Sequence, residues 1–238
     1  MRRALLPLSV LVAIALLPLG AATAKKPAPT CDGLPATIVG TNGDDVLLGT
    51  AGPDVIVGLK GDDTISGGLG DDVICGGKGD DTLSGQGEDD RLFGEHGEDH
   101  LDGGEGGCCN VATNTGDDFL SGGQGDDELH TSDFPTLGNT LRGDQGNDRL
   151  FVWSGGWAYG GNGRDAIRQF SGNAFLSGGN GRDDILDWND PQNETLTLAG
   201  GNGRDVLRSE DATSISTLDG GNGSDACSGG DTTTSCEG

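Results

Sequence analysis

Aspartate recurs at a fixed period over most of this chain. Set in nines from Gly40, the sequence reads GTNGDDVLL, GTAGPDVIV, GLKGDDTIS, GGLGDDVIC, GGKGDDTLS, GQGEDDRLF and GEHGEDHLD, without a gap to Asp102. Each nonad has Gly first, Asp sixth and Ile or Leu eighth; the unit from Gly85 has Glu88 instead of Gly at its fourth place. The sixth places are Asp45, Asp54, Asp63, Asp72, Asp81, Asp90 and Asp99. Further copies, TNTGDDFLS from Thr113 and GGQGDDELH from Gly122, supply Asp118 and Asp127. Units from Gly143, Gly160, Gly178, Gly200 and Gly220 supply Asp148, Asp165, Asp183, Asp205 and Asp225. Such sites offer oxygen donors without nitrogen or sulfur, in a cage that glycine-rich backbone can shape, and this is calcium chemistry rather than zinc or magnesium chemistry. A merely solvated acidic surface has no reason to fix Asp at one place while the third, seventh and ninth places vary.

The rest of each nonad positions that carboxylate. Glycines at the first, second and fourth places allow positive φ and close backbone approach, so six residues turn tightly with carbonyl oxygens pointing inward. The last three residues suffice for a very short strand. Its central side chain, such as Leu47, Ile56, Ile65, Ile74, Leu83, Leu92 or Leu101, faces a thin core. Two nonads make one coil with a strand on each side, and coils stack at roughly 4.8 Å. Aspartates one coil apart then align, with Asp45, Asp63, Asp81 and Asp99 in one ladder and Asp54, Asp72 and Asp90 in the other. An ion between two rungs takes carboxylate oxygens from both and completes its shell with turn carbonyls.

The repeat G-G-x-G-x-D-x-U-x resembles the RTX, or haemolysin-type, calcium-binding repeat. The resemblance covers most of the chain and implies an all-β, right-handed parallel β-roll, calcium in both edges, folding triggered by extracellular calcium, and a bacterial source. The residues agree on the coupling, because two rows of Leu and Ile bury too little surface to offset backbone ordering unless ion binding contributes. RTX toxins and proteases usually carry a separate effector domain and a C-terminal, uncleaved secretion signal. Here the repeats run nearly to the end and the secretory pattern is N-terminal, which weakens any inference of toxin or protease activity.

Composition sets the remaining bounds. Of 238 residues, 47 are glycine, 32% are hydrophobic and 4% aromatic, which does not suit an ordinary globular core. A net charge of -25 leaves no basic stripe for nucleic acid and makes bound cations the obvious counterweight. Residues 1–24 read as a secretory signal: Arg2-Arg3, an apolar run from Ala4 to Leu19, and a small-residue ending at Ala24. The mature chain is expected to start at Lys25 with no membrane span, because the apolar run is short and holds Pro7 and Pro18. Of six cysteines, Cys227 and Cys236 would close a short terminal loop, whereas the partners of Cys31, Cys75, Cys108 and Cys109 stay open.

The expected organisation is a cap or linker over 25–39, a regular array over 40–130 with an insertion at 103–112, a loop over 131–142, and a degenerate array over 143–238. In that last part, segments such as QFSGNAFLS and PQNETLTLA keep an aliphatic but lack the sixth-place Asp. Strands are therefore expected on both sides but calcium on one edge only, through Asp148, Asp165, Asp183, Asp205 and Asp225. Arg164, Arg182 and Arg204 at fifth places are expected to lower local negative charge, pair with neighbouring carboxylates and weaken these sites. Phe151, Trp153, Trp157, Tyr159 and Phe170 are expected to gather near one region, as a packing cluster or as a carbohydrate or protein contact.

Other motifs carry less. His96 and His100 lie within a nonad rather than on a helix face, so they are not zincin ligands. Arg142-Gly143-Asp144 opens a nonad, and Asn193-Glu194-Thr195 matters only in a glycosylating host. No nucleophile elbow, phosphate loop or acid-base pocket is recognisable. The expectation is a secreted, non-enzymatic calcium-binding structural or surface protein. The alternatives are a module binding polysaccharide, ice or host protein, which predicts a row of like residues at the seventh or ninth places, and an RTX component of a toxin or enzyme.

Overall fold

The computed structural model describes residues 27–104, 116–131, 138–153, 155–188, 195–209, 215–229, 232–234 and 236. The expected signal, Cys108 and Cys109, Asn193 and Glu194 of the glycosylation triplet and most of the 103–112 insertion lie outside the described residues.

The molecule is a two-sided parallel β-solenoid. One side is a ten-stranded sheet running from Val46–Leu48 through Thr64–Leu69, Thr82–Gly87, His100–Asp102, Glu128–His130, Arg149–Val152, Ala166–Gln169, Asp184–Asp187 and Val206–Ser209 to Ala226–Ser228. The other is a twelve-stranded sheet that starts at Ile38–Val39 and Val55–Val57, continues through Val73–Lys78, Arg91–His96, Phe119–Gln124 and Thr140–Gln145, and includes the long strands Gly156–Gly163, Ala174–Gly181 and Thr195–Gly203. Consecutive nonads alternate between the sheets, so each strand pairs in parallel with the strand one coil away.

The alternation of a strand, two residues per repeat, sends the sixth and eighth places inward and the seventh and ninth outward. Register stacks the eighth places in two files: Ile65, Leu83, Leu101, Leu129, Leu150 and Ile167 on one side, and Ile56, Ile74, Leu92, Leu120 and Leu141 on the other. These side chains form one continuous core and are almost wholly buried.

Three features refine the sequence expectations. Residues 140–142, expected within a loop, belong to strand Thr140–Gln145, because Leu141 takes the eighth place and enters the core although its nonad lacks the glycines. The N-terminal segment contributes Ile38–Val39 as the first rung opposite Ile56 and Val57. Ahead of it, a hairpin of Thr30–Cys31 and Leu34–Pro35 packs on the outer flank rather than the end of the roll. Cys31 there is joined to Cys75 by a disulfide, covers Val57 and Val73 in a second small core, and is followed by Asp32, which pairs with Arg91. The second disulfide joins Cys227 to Cys236.

The aromatic residues do not form one cluster. Trp153, Phe170 and Trp188 stack in a column one coil apart, with centroids 4.0 and 6.1 Å from ring to ring. Phe151 stacks on His130, and Trp157 and Tyr159 lie on the opposite sheet, where Tyr159 meets Phe175 at 5.8 Å. Strands Arg149–Val152 and Gly156–Gly163, close in sequence, belong to different sheets.

Candidate calcium files

The sixth-place aspartates form two continuous inward files. In the first, each main-chain N–H donates to Oδ1 of the aspartate one coil on, from Asp45 to Asp63 at 2.8 Å, then through Asp81, Asp99, Asp127, Asp148, Asp165, Asp183 and Asp205 to Asp225. In the second, Asp54 donates to Asp72, Asp72 to Asp90, Asp90 to Asp118, and Asp118 to Asn139 Oδ1 at 2.8 Å. Beyond Asn139 the register brings Gly156, Ala174 and Leu196 to the sixth place on that side. The first file thus runs the whole length and the second ends midway.

The two oxygens of each carboxylate differ. Oδ1 is bound as described, while Oδ2 of Asp63, Asp72, Asp81, Asp90, Asp99, Asp118, Asp127, Asp148, Asp165, Asp183, Asp205 and Asp225 is buried without a hydrogen-bond partner. Asp45 and Asp54, in the first coil, differ again. Asp45 Oδ2 accepts from Thr41 N and Oγ1 at 2.6 and 3.0 Å, and Asp54 Oδ2 from Thr50 N and Oγ1 at 2.7 and 2.9 Å. The threonine at the second place of those two nonads, where later ones mostly have glycine, supplies the donors.

The orphaned oxygens other than that of Asp225 each point at a small cradle left by a first-place glycine. A Cβ on Gly58 would meet both Asp63 Oδ2 and the Gly76 carbonyl, the latter at 2.6 Å; a Cβ on Gly200 would meet Asp205 Oδ2 at 2.7 Å and the Gly220 carbonyl at 2.6 Å. The same pairing of carboxylate and next-coil carbonyl recurs at Gly67, Gly85, Gly94 and Gly160. A dry, repeated set of convergent oxygens is the donor chemistry calcium takes. The residues present therefore fit the ion, and the aspartates and glycine carbonyls are the groups that would hold it.

The electrostatics agree. Burial pushes the carboxyls up, helped by neighbouring carboxylates: Asp72 and Asp81 to about 6, Asp99, Asp118, Asp127, Asp148, Asp165 and Asp183 to about 7, and Asp90 to about 8. Asp63 and Asp205 shift up for the same reason. At Asp54, partial burial pushes upward but the bonds from Thr50 and Thr37 outweigh it, and the carboxyl lies below its ordinary value. A row of buried carboxylates this unwilling to ionise alone needs a cation beside it to hold charge at neutral pH.

Four matches to the RTX calcium-binding nonapeptide repeat cover residues 39–74, 76–107, 110–133 and 138–156. Residues 39–156 carry RTX calcium-binding repeats. The matches stop where the second file has ended, although the solenoid continues: alternate nonads there have lost Asp and glycines but kept the aliphatic. No curated protein matches the chain significantly. Among solved structures, a hyperactive, Ca2+-dependent, beta-helical antifreeze protein from an Antarctic bacterium aligns at 19% identity over 84% of this chain and 82% of its own, with a TM-score of 0.44.

The turns also carry two exposed rows. Fifth-place carboxylates form an exposed outer ladder, Asp44 accepting from Asp62 N, Asp62 from Asp80 N and Asp80 from Glu98 N. Arg164, Arg182 and Arg204 continue this column as exposed residues, and among the described residues none pairs with a carboxylate, so the expected ion pairs do not form. Third-place asparagines make a second exposed row, with Asn180 Nδ2 donating to Asn162 Oδ1, Asn202 to Asn180 and Asn222 to Asn202 at 2.8–2.9 Å. Its sequence signal is GGNG in the units from Gly160, Gly178, Gly200 and Gly220.

Proposed function

We propose that this chain is a secreted, non-enzymatic RTX protein that folds when it meets calcium outside the cell and acts as a structural or surface module. The observation that carries this reading is the pair of buried aspartate files with orphaned Oδ2 atoms facing glycine carbonyls. The N-terminal secretory pattern and the disulfides support export. The test is circular dichroism of residues 25–238 at about pH 8, chelator-treated and titrated with calcium against magnesium, with bound calcium counted by calorimetry. Strand signal appearing with calcium alone and several ions per chain are expected; a chain already folded without metal, or indifferent to calcium, overturns it.

One observation favours a second reading, a module presenting a flat face to polysaccharide, ice or host protein. The row of like residues that such a module needs is absent from the mixed seventh places but exists at the third, in Asn162, Asn180, Asn202 and Asn222. Under this reading, Asn180→Ala with Asn202→Ala abolishes retention on a polysaccharide column, or thermal hysteresis, while the calcium response is kept.

A further inference from the structure

Away from the calcium files, one cluster combines imidazole with carboxylate. His100, Glu128 and His130 stand on the outer face of the ten-stranded sheet, at seventh and ninth places whose inward neighbours Asp99, Leu101, Asp127 and Leu129 are buried. Register sets His100 beside Glu128 and Asp102 beside His130, so the two histidines meet on a diagonal with ring centroids 5.2 Å apart. One donor atom of each of the three residues lies within 4.8 Å of the others. The adjoining rungs Asp99 and Asp127 are 28 residues apart instead of the 18 that separate Asp81 and Asp99, because the 103–112 insertion intervenes, and sequence spacing therefore hides the meeting.

We propose that His100, Glu128 and His130 form a binding site for a borderline divalent transition-metal ion of the zinc class, separate from the calcium files. Two imidazole nitrogens and one carboxylate oxygen are a zinc donor set, with the remaining position left to water, whereas calcium takes oxygen ligands. Bonds of about 2.0–2.2 Å in a tetrahedral shell place donor atoms roughly 3.3–3.5 Å apart. His130 Nε2 and His100 Nδ1 lie 2.9 and 3.9 Å from the same Glu128 oxygen, Oε1, which brackets that spacing. The surroundings hold the ligands in place. Phe151 stacks on the His130 ring at 4.5 Å, and Arg149 Nη1 stands 3.9 Å from the other Glu128 oxygen, Oε2, leaving Oε1 toward the histidines. With side chains 46%, 40% and 27% exposed, the site is open to solvent. An ion there joins the coils on either side of the insertion.

The site exists only once the coils have formed, so it rests on the calcium-dependent fold, and the test is run in calcium excess with strand signal monitored separately. The calcium-loaded chain is titrated with zinc by calorimetry, then as His100→Ala and His130→Ala. The expected result is one zinc equivalent that calcium does not displace, weakened about tenfold or more in each variant with strand signal unchanged. Should an alanine variant lose strand signal, Glu128→Gln is read in its place, with the same weakening expected. Zinc uptake abolished by calcium, or unaffected by these substitutions, overturns the site. A chain that gains no strand with calcium sinks the reading of the fold's trigger instead.

Discussion

Beyond the first coil, the two oxygens of a file aspartate are separable: Oδ1 anchors the main chain of the neighbouring coil, and Oδ2 is buried without a hydrogen-bond donor. At Asp81, Oδ1 accepts the Asp63 N–H at 2.8 Å and Oδ2 is orphaned. Asp81→Asn keeps an acceptor for Asp63 and removes the charge, so the calcium midpoint should rise several-fold while the saturated fold persists. Asp81→Ala also strands a buried N–H, and urea unfolding in calcium should show an additional loss of about 1–3 kcal/mol. Equal effects of the two variants would mean that the carboxylate serves the ion and not the backbone, and an unchanged calcium midpoint in Asp81→Asn would mean the reverse. Glycines allow an equally sharp comparison. A Cβ on Gly58 would press on Asp63 Oδ2 and the Gly76 carbonyl, whereas one on Gly43 meets nothing within 4 Å. Gly58→Ala should therefore raise the calcium needed for strand signal, and Gly43→Ala should leave it within error; similar titrations for both would remove the cradle from the account.

Among the elements, the outer-flank hairpin is the one that no repeat specifies, and its hold on the roll is covalent. The Cys31–Cys75 bond spans 44 residues, including the first coils. On the loop-closure model such a bond is worth about 4 kcal/mol against the unfolded chain. Cys31→Ser with Cys75→Ser should lower the urea midpoint of the calcium-loaded protein without changing the number of ions bound, and an unchanged midpoint would show that Val57, Val73 and the Asp32–Arg91 pair hold the flank unaided. This element also marks where sequence legibility ends. The eighth-place files and both aspartate ladders follow from a period of nine, because a strand's alternation and a coil of two nonads leave those side chains no other neighbours. The single-edged second half was legible for the same reason, in the missing Asp before Ala158, Leu176 and Leu198. What a period cannot encode is contact across its interruptions. The partner of Cys75, the strand at Thr140–Gln145 with Asn139 standing in for Asp, and the meeting of His100 with His130 all depend on how a non-repeating segment rejoins the frame.

For the whole molecule, the question is what a chain of net charge -25 does with carboxylates that it buries. Without metal, burial holds Asp72 and Asp81 at about 6, Asp99, Asp118, Asp127, Asp148, Asp165 and Asp183 at about 7 and Asp90 at about 8 in the fold, against 3.8 ordinarily. Between those values the folded chain binds more protons than the unfolded one, so this contribution is fully present below about pH 4 and is lost as pH rises through about 6 to 8. A chelated sample should therefore gain strand signal on acidification across that window and lose it again at about pH 8. Calcium reverses the sign, because it binds the ionised carboxylates and must displace their protons. Its midpoint concentration should fall as pH climbs from about 6 to about 8, the range in which the metal-free fold weakens. The two titrations, read by circular dichroism on one sample, constrain each other. A calcium midpoint independent of pH would mean that the ions do not bind at the buried files.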